Sequence, residues 1–164
     1  MIVKNKLHPE VPAWEVEIPQ GFNFNPYNLN YKLQDGSLFK DITTRFENHD
    51  QNLKHKILGL LDINYIKNKV PDYTQIDIKI FKDLPGFKLV PHCDVLEHKA
   101  FIIFNLIDNV NSTTFYDRFE KLLCEAPNKR HTGIFHLLHT KPRIMHAIEN
   151  KSKADRYTTI AFIK

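Results

Sequence analysis

The sequence predicts a mainly β protein of the α+β class, with a helical N-terminal layer on an all-β C-terminal core of sandwich or barrel type. Three observations predict it. From residue 74 onward, short runs rich in Val, Ile, Phe, Tyr and Thr recur about every 8–12 residues. Before residue 70, the apolar residues are spaced as on helix faces. The 164 residues, 42% of them hydrophobic, suffice to bury a core within one domain. Residues 1–73 then read as a strand and helical support region, and 74–164 as the β core.

The elements follow in order. Residues 1–36 are rich in Pro, Asn and aromatics. Trp14-Glu15-Val16-Glu17-Ile18 alternates and predicts an edge strand, and Gln34-Asp35-Gly36 signals a turn. Leu38, Phe39, Ile42 and Phe46 share one helical face, with Ser37 placed to cap it and Asp41 in the first turn. Leu53, Ile57, Leu60 and Leu61 repeat that spacing, so a second helix follows, and both cover one face of a sheet. Strands are expected over 74–82, 86–91, 100–107, 113–117, 119–125, 132–138, 143–149 and 155–163. Turn sequences such as Asp83-Leu84-Pro85-Gly86 and His139-Thr140-Lys141-Pro142 part most of them.

Composition narrows the function classes. No apolar run approaches the roughly 18–20 residues of a membrane span. The N-terminus lacks an apolar signal core, so a cytoplasmic protein is expected. Cys93 and Cys124 cannot build a disulfide framework and are expected as reduced thiols. The net charge of +4 comes from 23 basic residues scattered along the chain, which argues for solvated surface over a nucleic-acid partner. There is no Gly-rich phosphate loop, paired CxxC or HExxH.

Four positions carry chemistry. In Pro91-His92-Cys93-Asp94, side chains two apart on an extended segment point the same way, so His92 and Asp94 could hold one metal. Taken alone, the pair reads more readily as a turn-capping Asp beside a surface His. His146 sits in the apolar strand Ile144-Met145-His146-Ala147-Ile148. Arg156 opens the last strand, with Thr158 on its face. It either turns inward toward an anionic partner or lies at the rim with Asp155 or Glu149.

In order and spacing, His92-x-Asp94, His146 and Arg156-x-Thr158 resemble the Fe(II)- and 2-oxoglutarate-dependent oxygenases, in particular small prolyl-hydroxylase-like bacterial or phage members. Pro85–Asp94 is similar to the strand leading into that family's first two ligands, Ala100–Asn109 to the next strand and its turn, and Asn128–Phe135 to the strand before the second histidine. The resemblance covers about residues 74–164. It implies a double-stranded β-helix, or jelly roll, of eight strands in two facing sheets, with the N-terminal helices packed on one sheet. It implies Fe(II) on His92, Asp94 and His146, and 2-oxoglutarate held by Arg156 and Thr158, with Asn105 touching the cofactor. Molecular oxygen is the co-substrate. The implied reaction hydroxylates a C–H bond of a peptidyl or free amino acid or a small metabolite, releasing succinate and carbon dioxide.

One departure bears on the substrate. Prolyl hydroxylases of the family carry a Tyr on the strand before their His-x-Asp, whereas Ile78–Leu84 has none, which weighs against a prolyl substrate. The chain stops soon after the last strand, so substrate contacts are expected from residues 1–73 or the strand loops. His136 and His139 are competing ligands; His98, His131, His136 and His139 are expected at the surface or in packing, because His146 alone has Arg-x-Thr downstream. Cys93 should point away from the metal. The alternatives are a non-catalytic β-sandwich that binds metal or a protein partner, and a cupin-like isomerase or dioxygenase.

Overall fold

The computed structural model describes residues 1–19, 22, 24–33 and 44–164. An N-terminal hairpin, β1 (Ile2–His8) and β2 (Val11–Glu17), leads through a short 3-10 turn at Pro26–Asn28 to β3 (Lys32–Leu33) and β4 (Arg45–Asn48). Two helices follow, α1 (Gln51–Leu58) and α2 (Ile63–Lys69). Both start on an aspartate whose side chain accepts a backbone N–H two or three residues into the helix: Asp50 from Leu53 at 3.1 Å, and Asp62 from Tyr65 at 2.9 Å. The second expected helix is α1. Most of the first, 34–43, lies outside the described residues, but its last apolar position, Phe46, is in strand β4, so no helix runs to there.

The eight expected C-terminal strands are all present: β5 (Ile76–Asp83), β6 (Lys88–His92), β7 (Ala100–Asn105), β8 (Thr114–Tyr116), β9 (Leu122–Glu125), β10 (Thr132–Leu137), β11 (Met145–Glu149) and β12 (Arg156–Ile163). They form a jelly roll. Its larger sheet has the order β1-β2-β10-β7-β12-β5-β4-β3, its smaller one β6-β11-β8-β9, and every pairing is antiparallel. The edge strand expected at Trp14–Ile18 is therefore interior, because β1 pairs outside it. β10 approaches β7 so closely that a Cβ on Gly133 would sit 1.7 Å from the Ile103 carbonyl oxygen, which only glycine avoids.

Alternation along the central strands explains why both faces of the larger sheet are apolar. Ala100, Ile102, Phe104, Phe135, Tyr157, Ala161 and Ile163 face Leu53, Ile57 and Ile66 of the two helices. Phe101, Ile103, Ile134, Ile160 and Phe162 point the other way, against Phe115 and Ile144 of the smaller-sheet side. Burying each such aliphatic or aromatic side chain stabilises the fold by roughly 1.5–3 kcal/mol. The helices brace the outer face and leave the space between the sheets to the residues described next.

Candidate metal centre and anion pocket

Strands β6 and β11 pair so that His92 stands opposite His146, with ring centroids 4.4 Å apart. Asp94 follows two residues after His92. Its carboxylate oxygens lie 3.8 Å from Nε2 of His92 and 3.8 Å from Nε2 of His146. One donor atom from each of the three lies within 4.8 Å of the others. A single ion about 2.0–2.2 Å from each donor is compatible with that spacing. Nδ1 of His92 is 2.7 Å from the Val90 carbonyl, which takes the proton on that nitrogen and leaves Nε2 as a lone-pair donor toward the centre.

The electrostatics suit a cation. Burial raises the Asp94 pKa, against the pull of His92, His98 and His139. Burial holds His146 well below the ordinary histidine range, helped by His92 and His136, so its ring is neutral. Oδ2 of Asp94 and Nδ1 of His146 are buried without a hydrogen-bond partner among the described residues. Two neutral imidazoles and a carboxylate on one face are the donor set of a non-haem Fe(II) centre that keeps open positions.

Arg156 and Thr158 lie on the same face of β12 as Ile160 and Phe162, inside the jelly roll, and are 4% and 0% exposed. Of the two sequence readings of Arg156 the inward one holds, but its partner is neither Asp155 nor Glu149. Register places Arg156 beside Asp83 of β5, and Asp83 beside Arg45 of β4. Arg156 donates to Oδ2 of Asp83 at 2.8 Å; Arg45 donates to its two oxygens at 2.6 and 3.1 Å and stacks on Phe81 and Phe87. Asp155 instead meets Lys82 at 3.0 Å. Among the described residues, two buried guanidiniums thus share one carboxylate, leaving one positive charge in surplus. Buried Glu47 does not offset it, being engaged by Lys54 at 3.4 Å and Lys79 at 3.2 Å. Nε of Arg156 and Oγ1 of Thr158 are buried without a hydrogen-bond partner among the described residues. Burial presses the Arg156 pKa below its ordinary value against the pull of Asp83, and an arginine stays charged even so.

Asn105 stands opposite Thr158, but its amide is engaged in structural bonds: it donates to the carbonyls of Pro127 and Thr132 at 2.8 and 3.1 Å and accepts from Asn109 at 2.8 Å. Cys93 has its sulfur 3.4 Å from the Ile144 carbonyl and 3.0 Å from Nε of Arg143, and its side chain is not among the three grouped donors. His98 stacks on Phe162 at 4.5 Å, and Nε2 of His139 is 3.2 Å from the Val95 carbonyl. His136 is not a surface residue. It is buried between the rings of Phe101, Phe115 and His146, in packing but beside the centre. Sequence reasoning missed Arg45 and Asp83. Arg45 fell in an expected helix, Asp83 in a turn signal, and the pairing spans 38 and 73 residues.

No family model matches the sequence, and no curated protein matches it. Solved structures do match the fold. An oxidoreductase of the 2OG-Fe(II) oxygenase family from Burkholderia pseudomallei superposes with a TM-score of 0.63 at 12% identity, covering 94% of this chain and 85% of that one. A Pseudomonas putida prolyl-4-hydroxylase gives a TM-score of 0.63 at 7% identity, covering 94% and 93%. At such identities the likeness is one of fold, and it agrees with the double-stranded β-helix that the sequence resemblance implied.

Proposed function

We propose that the chain is an Fe(II)- and 2-oxoglutarate-dependent dioxygenase that hydroxylates a C–H bond of a small-molecule or peptidyl substrate, releasing succinate and carbon dioxide. The observation that supports it best is a juxtaposition. One barrel holds a two-histidine, one-carboxylate cluster together with a buried surplus cation whose Arg156 Nε and Thr158 Oγ1 have no partner. A module that merely stored metal would have no use for the second feature.

Each residue has a role in this reading. His92, Asp94 and His146 hold the iron from one side and leave the other side open. Arg156 and Thr158 receive the far carboxylate of 2-oxoglutarate, which neutralises the surplus charge and gives both orphaned groups an acceptor. Asp83 takes one arm of Arg156 and so turns the rest of the guanidinium toward the ligand. Ile103, Ile160 and Phe162 wall the space between and exclude water. Bound together, iron and 2-oxoglutarate supply the oxidising chemistry when oxygen enters. Residues 1–73 support the 74–164 core in a single domain, and the thiols of Cys93 and Cys124 fit a reducing cytoplasm.

The test is an anaerobic titration with Fe(II) and 2-oxoglutarate, watching for a visible metal-to-ligand charge-transfer band. The band is expected only with both components and is lost in His146→Ala with the far-ultraviolet circular dichroism unchanged. No band with the folded wild type overturns the reading in favour of a non-catalytic module.

A further inference from the structure

His146 turns Nε2 toward Asp94, so the ring geometry aims Nδ1 away from the centre. A metal on Nε2 leaves the proton on Nδ1, and ligating histidines almost always give that N–H to an acceptor. Here Nδ1 is buried and has no partner. Among the described residues, the rings packed against His146 besides His92 are Phe101 at 5.0 Å and His136 at 6.0 Å, the latter nearly perpendicular at 81°. Phe101 has no hydrogen-bonding atom.

His136 has the complementary deficit. It is 1% exposed, and both of its ring nitrogens are buried without a hydrogen-bond partner among the described residues. Its other ring neighbours, Phe101 and Phe115, stand 5.0 Å away and satisfy neither nitrogen. A neutral imidazole carries one donor and one acceptor nitrogen, so one of the two can receive an N–H from a neighbouring ring. It is also outside the three-residue donor group, so it is not itself placed as a ligand.

Building on the metal-site reading above, we infer that His136 is the acceptor for the Nδ1 proton of His146, reached by a small ring rotation or across one water, and so fixes the tautomer and aim of the second histidine ligand. This makes His136 a positioning residue. The orphaned nitrogens of the two rings then account for each other.

The experiment uses Co(II) alone as the probe, with His136→Phe and His136→Gln beside the wild type. His136→Phe is expected to weaken Co(II) binding about 10–100-fold, the effect typical of losing such a partner. Its metal-free thermal midpoint should not fall, because phenylalanine fills the same apolar site. His136→Gln, whose amide oxygen can accept, should recover part of the affinity. In proton NMR of the Co(II)-loaded wild type, two slowly exchanging, shifted ring N–H signals are expected, from His92 and His146, and one of them should exchange rapidly in His136→Phe. Unchanged affinity and exchange in His136→Phe overturn the inference and leave the triad intact. Equal losses of affinity and stability in both variants overturn it too, since packing alone then explains His136. A wild type that binds Co(II) no better than His146→Ala instead overturns the metal site itself.

Discussion

The two ends of the space between the sheets handle buried polarity in opposite ways. One row across the larger sheet runs His136, Phe101, Phe162; another runs Arg156, Asp83, Arg45. At the histidine end, burial keeps His136 and His146 neutral, and both ring nitrogens of His136 and Nδ1 of His146 have no hydrogen-bond partner among the described residues. At the arginine end the groups are ions bound tightly to one another, with a charge left over. Among the described residues, the first end offers the three grouped donor atoms of His92, Asp94 and His146, and the second an unpaired guanidinium nitrogen and hydroxyl.

The comparison can be broken most severely at the arginine end. Asp83→Ala would leave two buried guanidiniums with no counter-ion, and a loss of about 3–5 kcal/mol in chemical denaturation is expected. A loss below about 1 kcal/mol would show that the carboxylate is not what holds the two cations. Arg156→Met should be milder for stability, because Arg45 and Asp83 remain as a neutral pair. It should weaken 2-oxoglutarate about 10–100-fold, the range for losing charge-assisted bonds, while binding of Co(II) alone stays within about twofold. A parallel loss of metal affinity would show that the two ends are not separate. The smallest effect sharpens the histidine end. In the metal-free protein, burial holds His136 and His146 below their ordinary value. The stability they carry is full above about pH 6.5 and is lost as pH falls, by about 1.4 kcal/mol per pH unit for each histidine that takes up a proton only on unfolding. Urea unfolding between about pH 7 and pH 5 measures the slope, which should be shallower in His136→Phe.

Much of this arrangement was legible in the sequence. The strand signal is strong after residue 74 because apolar β-formers and turn residues recur at short intervals, and all eight expected strands are found. His92, Asp94 and His146 were legible only together, through the order of His-x-Asp, His and Arg-x-Thr that carries the family resemblance; the His-x-Asp pair by itself did not decide between a metal site and a turn cap. What was illegible depends on register or on burial of both faces. β10 is buried along its middle four residues, so no polar alternation revealed which way His136 points. The Arg45–Asp83–Arg156 cluster depends on which strands become neighbours, and nothing local to any of the three residues states that. The N-terminal strands were under-read for a similar reason: β1 is mostly exposed and polar, and β4 is only four residues long.

Strand β12 lies between β5 and β7, pairing with all eight residues of one and six of the other. A ribosome delivers β5 and β7 well before the strand that joins them. Until β12 emerges, each of those two keeps an open hydrogen-bonding edge beside apolar side chains, the kind of surface that recruits foreign strands. The residue that begins the closure is Arg156, so the nascent chain acquires its buried Arg45–Asp83–Arg156 cluster in the same step that seals its most adhesive edges. A stalled or truncated chain would lack both.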